Sequence, residues 1–140
     1  MNGVRKVPFG RNTGDAFFRG LDLFNEQRFW EAHEAFEDVW RGQDGETKKL
    51  AQGFVQAAAA LSYIEKRRYE SILYLLDKSV EKLALTGSLL HNVDVALLID
   101  SLKRIKEEVL QLGEEGLENF DSTLYPRLEA RRRGPREESS

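Results

Sequence analysis

The chain contains no cysteine. That excludes a disulfide framework, a thiolate zinc site and a cysteine nucleophile. It also fits a reducing compartment, and the cytoplasm is the expected location. Proline is scarce, with three residues in 140, too few for an extended disordered chain. Histidine is scarcer, only His33 and His91, so an imidazole-based metal centre would be short of ligands. No apolar run reaches the ~18 residues of a membrane span. Arg5, Lys6 and Arg11 have no apolar stretch behind them, so the N-terminus does not read as a signal peptide. No membrane association is expected. There is no glycine-rich phosphate loop and no Gly-x-Ser-x-Gly elbow.

The hydrophobic share of 41% over 140 residues suits one domain with one core. The net charge of −3 hides an uneven layout. Residues 1–13 carry three basic groups and no acidic ones. Residues 127–140 carry Arg127, Arg131, Arg132, Arg133 and Arg136 against Glu129, Glu137 and Glu138. The body, 14–126, holds 13 basic and 21 acidic groups, a net of −8. Such a body repels a phosphate backbone, so no nucleic acid is expected on it. The basic tails can touch RNA or an acidic partner, or simply be solvated ends.

Apolar spacing predicts five helices. Residues 1–13 read as a flexible arm, and Asp15, after Thr13, as the cap of the first helix. Phe17, Leu21 and Phe24 lie on one helical face. Gln27 and Arg28 form a tight polar connection, and a second helix runs from Phe29 to Trp40, stopped by Gly42. Its buried side is Phe29, Ala32, Phe36 and Val39. The third helix spans about Glu46 to Lys66, with Ala57 to Ala60 in its middle. Alanine favours helix and lets a neighbour approach closely. Gly53 costs about 1 kcal/mol relative to alanine in a helix, and a close helix contact would explain it. After Arg67 and Arg68 a fourth helix carries Tyr69, Ile72, Leu76, Val80 and Leu83 to Gly87. Asn92 or Asp94 can cap a fifth, with Leu98, Leu102, Ile105, Val109 and Leu112 as its seam and Gly113 as its stop. Residues 114–126 read as a strap on the bundle, and the chain beyond Arg127 as a disordered tail.

An internal repeat runs at an offset of 40 residues. Phe17, Leu21, Phe24, Phe29, Ala32 and Phe36 align with Ala57, Leu61, Ile64, Tyr69, Ile72 and Leu76. This predicts two similar helical hairpins. Gly20 and Phe29-x-x-Ala32-x-x-x-Phe36 match part of the tetratricopeptide pattern. The expected fold is therefore all-α: about five helices in a tetratricopeptide-like hairpin bundle with a C-terminal strap.

The segment Phe29-Trp30-Glu31-Ala32-His33-Glu34-Ala35-Phe36-Glu37-Asp38-Val39-Trp40 is richest in chemistry. Positions three and four apart are neighbours on a helix, so Trp30, His33, Glu34, Glu37 and Trp40 share a stripe. A half-buried imidazole and carboxylates beside two indoles need partners. Gln52, Gln56 and Tyr63 form a stripe on the third helix, and their amides can bridge His33 and Glu37. Three readings follow. A buried hydrogen-bond network would fix helix register. A groove between the second and third helices would bind a protein partner or small ligand, with Trp30, His33, Glu34, Glu37, Trp40, Gln52 and Gln56 at its walls, as a non-enzymatic module. A metal-dependent hydrolase would use His33 and Glu37 as ligands and Glu34 as base, His-Glu-x-x-Glu being one ligand removed from the zinc helix His-Glu-x-x-His. No cofactor and no metal are expected, and a homodimer is possible.

Phe29-Trp30-Glu31-Ala32-His33-Glu34-x-x-Glu37-x-x-Trp40, followed by Gln52-Gly53-x-x-Gln56 and an alanine-rich run, resembles a prokaryotic family catalogued as domain of unknown function 309. The resemblance covers roughly Phe17 to Leu85. It implies a small all-helical domain and a recurring cluster at His33, Glu34, Glu37, Trp40, Gln52, Gly53 and Gln56. It implies no activity.

Overall fold

Two helical hairpins, a fifth helix and a C-terminal strap make up the computed structural model, which describes residues 11–86 and 93–129. The helices are α1 (Arg11–Asn25), α2 (Phe29–Arg41), α3 (Gly45–Glu65), α4 (Tyr69–Thr86) and α5 (Val95–Leu112). The strap holds two short 3₁₀ turns, Glu114–Asn119 and Ser122–Leu124. The described residues contain no strand, so the chain is all-α, as its periodicity predicts. No helix among them is long and apolar enough to cross a membrane.

The two hairpins turn in the same way. In the first, Gln27 is left-handed (φ 63°), its N–H donates to the Phe24 carbonyl, and the Arg28 N–H donates to Leu23. In the second, Arg67 is left-handed (φ 57°), its N–H donates to Ile64, and Arg68 donates to Tyr63. Each donor and acceptor of one turn has its counterpart 40 residues on. Neither left-handed residue is glycine, so each turn carries about 1–2 kcal/mol of backbone strain.

The core is aromatic at the first hairpin and aliphatic at the second. Phe17 packs edge-on against Phe54 at 5.4 Å, and Phe36 lies 5.3 Å from the same ring. Ile72, Leu76 and Leu83 of α4 are fully buried, as are Leu98, Leu102, Ile105 and Val109 of α5. Ala57, Ala58 and Ala60 are fully buried in α3, the helix on which both α2 and α4 pack. Two glycines mark the closest approaches. A Cβ at Gly53 would fall 2.7 Å from Leu83 Cδ2 of α4, so the expected close contact is with α4. A Cβ at Gly20 would fall 2.5 Å from the Phe36 ring of α2.

Asp94 caps α5, its side chain accepting from the Leu97 N–H at 2.9 Å. Asn92 and His91 lie outside the described residues. Two boundaries differ from those the sequence suggests. α1 begins at Arg11, so Asp15 is an exposed residue inside the helix rather than its cap. Residues 11–13, read from the sequence as part of the arm, therefore belong to α1. At the other end, the ordered body continues past residue 126. Leu128, placed in the tail by composition, is buried, and its backbone is held at both polar atoms by Asn25.

The strap lies against the turn ends of both hairpins. Leu117 is buried, and Phe120, Leu124 and Tyr125 pack partly buried against the core. Tyr125 tilts against Phe29 at 4.8 Å and Phe120 at 5.2 Å. Burial, aided by the Glu65 carboxylate, pushes its phenol above the ordinary tyrosine range.

Candidate functional site

α2 is amphipathic with a second, polar edge. Phe29, Ala32, Ala35, Phe36 and Val39 are buried. Next to them, at steps of three and four, stand Trp30, His33, Glu37 and Trp40. The matching stripe of α3 is Lys48, Gln52, Gln56 and Tyr63, continued by Lys66 at its C-cap. Its two lysines meet the two tryptophans. The Lys66 ammonium sits 4.2 Å from the Trp30 ring centre and Lys48 sits 4.3 Å from that of Trp40. A seam between antiparallel helices is thus closed at each end by a lysine over an indole. Contacts of this kind are worth about 0.5–1 kcal/mol at exposed sites.

Inside the seam the imidazole of His33 stacks on Trp30, with ring centres 4.4 Å apart and planes 25° apart. Tyr63 flanks the indole at 6.2 Å. The His33 side chain is 13% exposed, and its Nε2 faces Glu37 Oε2 at 3.6 Å, an ion-pair distance rather than a hydrogen bond. Glu37 also receives Arg41 at 3.4 Å. The other imidazole nitrogen, His33 Nδ1, is buried with no hydrogen-bond partner, and so is Gln56 Oε1. The bridge expected from the glutamine amides to His33 and Glu37 is therefore not made. A buried amide or imidazole atom without a partner costs about 1–3 kcal/mol, and native proteins carry few of them. Two such atoms, on the facing stripes of one helix pair, make the seam an under-satisfied place.

Trp30 is only half covered, at 40% exposure. From it an aromatic edge continues through Tyr63 to Tyr74, which is 61% exposed. A shallow depression between the tyrosines is lined by Glu70, Ser71 and Leu75. Arg68 and Lys78 lie over the faces of Tyr63 and Tyr74 at 5.8 and 5.7 Å.

The other candidates are placed as follows. Trp40, Gln52 and Gln56 are half-buried. Glu34 departs from the seam: it is exposed and lines an open groove of about 520 Å³ on the α1 side of α2, with Arg19, Arg28, Glu31 and Asp38. At 100° per residue, Glu34 lies on the far border of the stripe, and the bulk of α3 leaves it the α1 side. The arginines of that groove are paired: Arg28 with Glu31 at 2.6 Å, Arg41 with Asp38 at 3.0 Å, and Arg19 with Asp38 at 3.4 Å. Hydrogen bonding to Arg28 holds the Glu31 carboxyl below its usual range. All these groups are at least half exposed, so the pairs add little stability.

The hydrolase reading requires a third ligand and an open position. Among the described residues no group of three or more histidine, aspartate or glutamate side chains could hold a metal ion, and Glu37 is already shared between His33 and Arg41. The donor set does not fit the zinc-helix pattern. The lysine clamps were not among the candidates, although Lys48 and Lys66 occupy the same stripe as Gln52, Gln56 and Tyr63, and that spacing reveals them.

Residues 17–75 match the model of the family described as Domain of unknown function (DUF309). The match bears out the resemblance and includes the whole seam, from Trp30 to Lys66, but neither α5 nor the strap. No curated protein and no solved structure matches the chain.

Proposed function

We propose that this domain, taking the family match as its frame, is a non-enzymatic binding module that holds its protein partner at the α2–α3 seam. The observation that carries the reading is the pair of buried, unpartnered atoms, His33 Nδ1 and Gln56 Oε1, between two lysine-over-tryptophan clamps. A carbonyl oxygen lacks a donor there. A hydroxyl, amide or ammonium group of the partner that enters as the seam opens supplies one and recovers the desolvation already spent. The half-exposed Trp30, held by the imidazole on one side and Lys66 near its ring, is a rigid aromatic anchor of the kind that dominates interface energies. Tyr63 and Tyr74 extend the contact surface. The clamped indoles and orphaned atoms support binding as the chemistry of the seam.

The test uses the full chain as bait. Partners retained by the natural sequence should be lost with Gln56→Leu and with Trp30→Ala, while circular dichroism shows both variants folded. Retention of the same partners at the same level by both variants would overturn the reading.

A further inference from the structure

The aromatic edge that starts at Trp30 carries an electrostatic pattern of its own. Lys66 stands over Trp30 at 4.2 Å and over Tyr63 at 5.4 Å. Arg68 stands over Tyr63 at 5.8 Å, and Lys78 over Tyr74 at 5.7 Å. Three cations thus follow three rings from α2 to α4. Lys78 has a carboxylate, Glu81 at 3.7 Å. Lys66 and Arg68 are exposed and pair with no carboxylate among the described residues. Yet they stand on a body with a net charge of −8, where Arg28, Arg41, Arg67 and Lys106 each take a carboxylate. The depression between the tyrosines, about 440 Å³, is lined by Ser71 and Leu75, with Glu70 as its one carboxylate.

The rings are not open to nucleic-acid bases. A base needs a free face to stack on, and the Trp30 ring already holds the His33 imidazole at 4.4 Å and the Lys66 ammonium at 4.2 Å. A carboxylate needs only the cation. A lysine or arginine resting on a ring has given up part of its rotamer freedom, so pairing costs it less ordering than it costs a free side chain. Repulsion from the rest of the body is screened beyond about 8 Å at physiological ionic strength, so the local cations decide what settles here.

We propose that the partner presents an acidic peptide segment to this edge, with carboxylates on Lys66 and Arg68 and one bulky apolar side chain in the depression between Tyr63 and Tyr74. The proposal takes the binding reading of the seam as its premise and adds the partner's chemistry. It also fixes a direction. Glu70 and Glu81 repel acidic groups from the α4 end, so the carboxylates lie toward Trp30 and the apolar group toward Tyr74.

The test pans the full chain against a library of random peptides displayed on phage. Enriched peptides should carry acidic residues on one side of a bulky apolar one. Labelled synthetic copies, followed by fluorescence anisotropy, should bind more weakly as salt rises. Lys66→Glu with Arg68→Glu, checked for folding by circular dichroism, should weaken them by at least about tenfold. Lys66→Arg with Arg68→Lys, which keeps both charges, should retain them. An enriched set without acidic residues overturns the proposal, and the seam reading still stands if those peptides are lost with Gln56→Leu and Trp30→Ala. Acidic peptides that survive the double charge reversal also overturn it, since the arginines of residues 127–140 would then hold them. So does a uridine homopolymer that binds the natural chain and is lost on the same reversal, which would make RNA the occupant. Acidic peptides lost on reversal but kept by Gln56→Leu and Trp30→Ala uphold the acidic partner and overturn the seam reading. No enrichment at all overturns both.

Discussion

Replacing Gln56 by leucine tests the physical argument for the seam without any partner in hand. The Oε1 atom is buried and accepts no hydrogen bond. Leucine has a similar shape and removes the orphan. An unsatisfied buried polar atom costs about 1–3 kcal/mol, and burying an isobutyl group adds to the gain. The variant should therefore be more stable than the natural chain by about 1–3 kcal/mol, which for a protein of this size is roughly 2–12 °C in Tm. Thermal melts by circular dichroism would give the shift. Urea titrations should show a higher midpoint at an unchanged slope. His33→Phe should act in the same direction, since it removes the Nδ1 orphan and keeps an aromatic ring against Trp30. The two gains should be less than additive, because the sites lie in one seam. Most core substitutions of a polar group lower stability, so the expected sign is uncommon. A fall in Tm of either variant would show that the atom is satisfied in the folded protein, and the argument for a place that awaits a donor would fail with it.

Three further outcomes are expected. Gly20→Ala gains about 1 kcal/mol of helix propensity, but its Cβ would press on Phe36, itself fixed between Phe17 and Phe54. Overpacking of this kind costs about 1–3 kcal/mol, so urea denaturation should show a net loss of up to about 2 kcal/mol. Asn25→Ala leaves the Leu128 N–H and carbonyl without partners, and hydrogen exchange at Leu128 should quicken by roughly ten- to a hundredfold, with trypsin cutting faster after Arg127. The helical core should exchange as before. The raised phenol of Tyr125 means that the unfolded chain loses its proton first. Above the ordinary tyrosine value of about 10 the unfolded state binds fewer protons, so stability falls as pH rises. Tyr125→Phe should remove part of this alkaline decline, measured by denaturant titration between about pH 9 and about pH 11. An unchanged slope would show that the phenol is not protected by the strap.

The helices were legible because the signal for them is local. Phe17, Leu21 and Phe24, or Leu98, Leu102, Ile105 and Val109, announce a buried stripe by spacing alone. The polar turns at Gln27–Arg28 and Arg67–Arg68 stand between such stripes. The candidate stripe Trp30, His33, Glu37 and Trp40 was legible by the same rule. Three things were not. Asn25 and Leu128 are 103 residues apart, and a neutral carboxamide at a helix end carries no mark of its partner. Glu34 shares the four-residue spacing, yet its side is decided by the bulk of the neighbouring helix. The failed glutamine bridge is a matter of side-chain placement, which spacing along a helix does not encode.

The hairpin frame occurs twice, with the same left-handed residue and the same carbonyl acceptors 40 positions apart. Where the first copy bears Trp30, His33, Glu37 and Trp40, the second bears Glu70, Leu73, Asp77 and Val80. The backbone of the second hairpin forms without any of the four. The molecule thus carries its own control. Writing the second set of residues onto the first hairpin would strip the seam while keeping a frame already known to accept them, and writing the first set onto the second would ask whether two indoles and an imidazole suffice to found a seam anew.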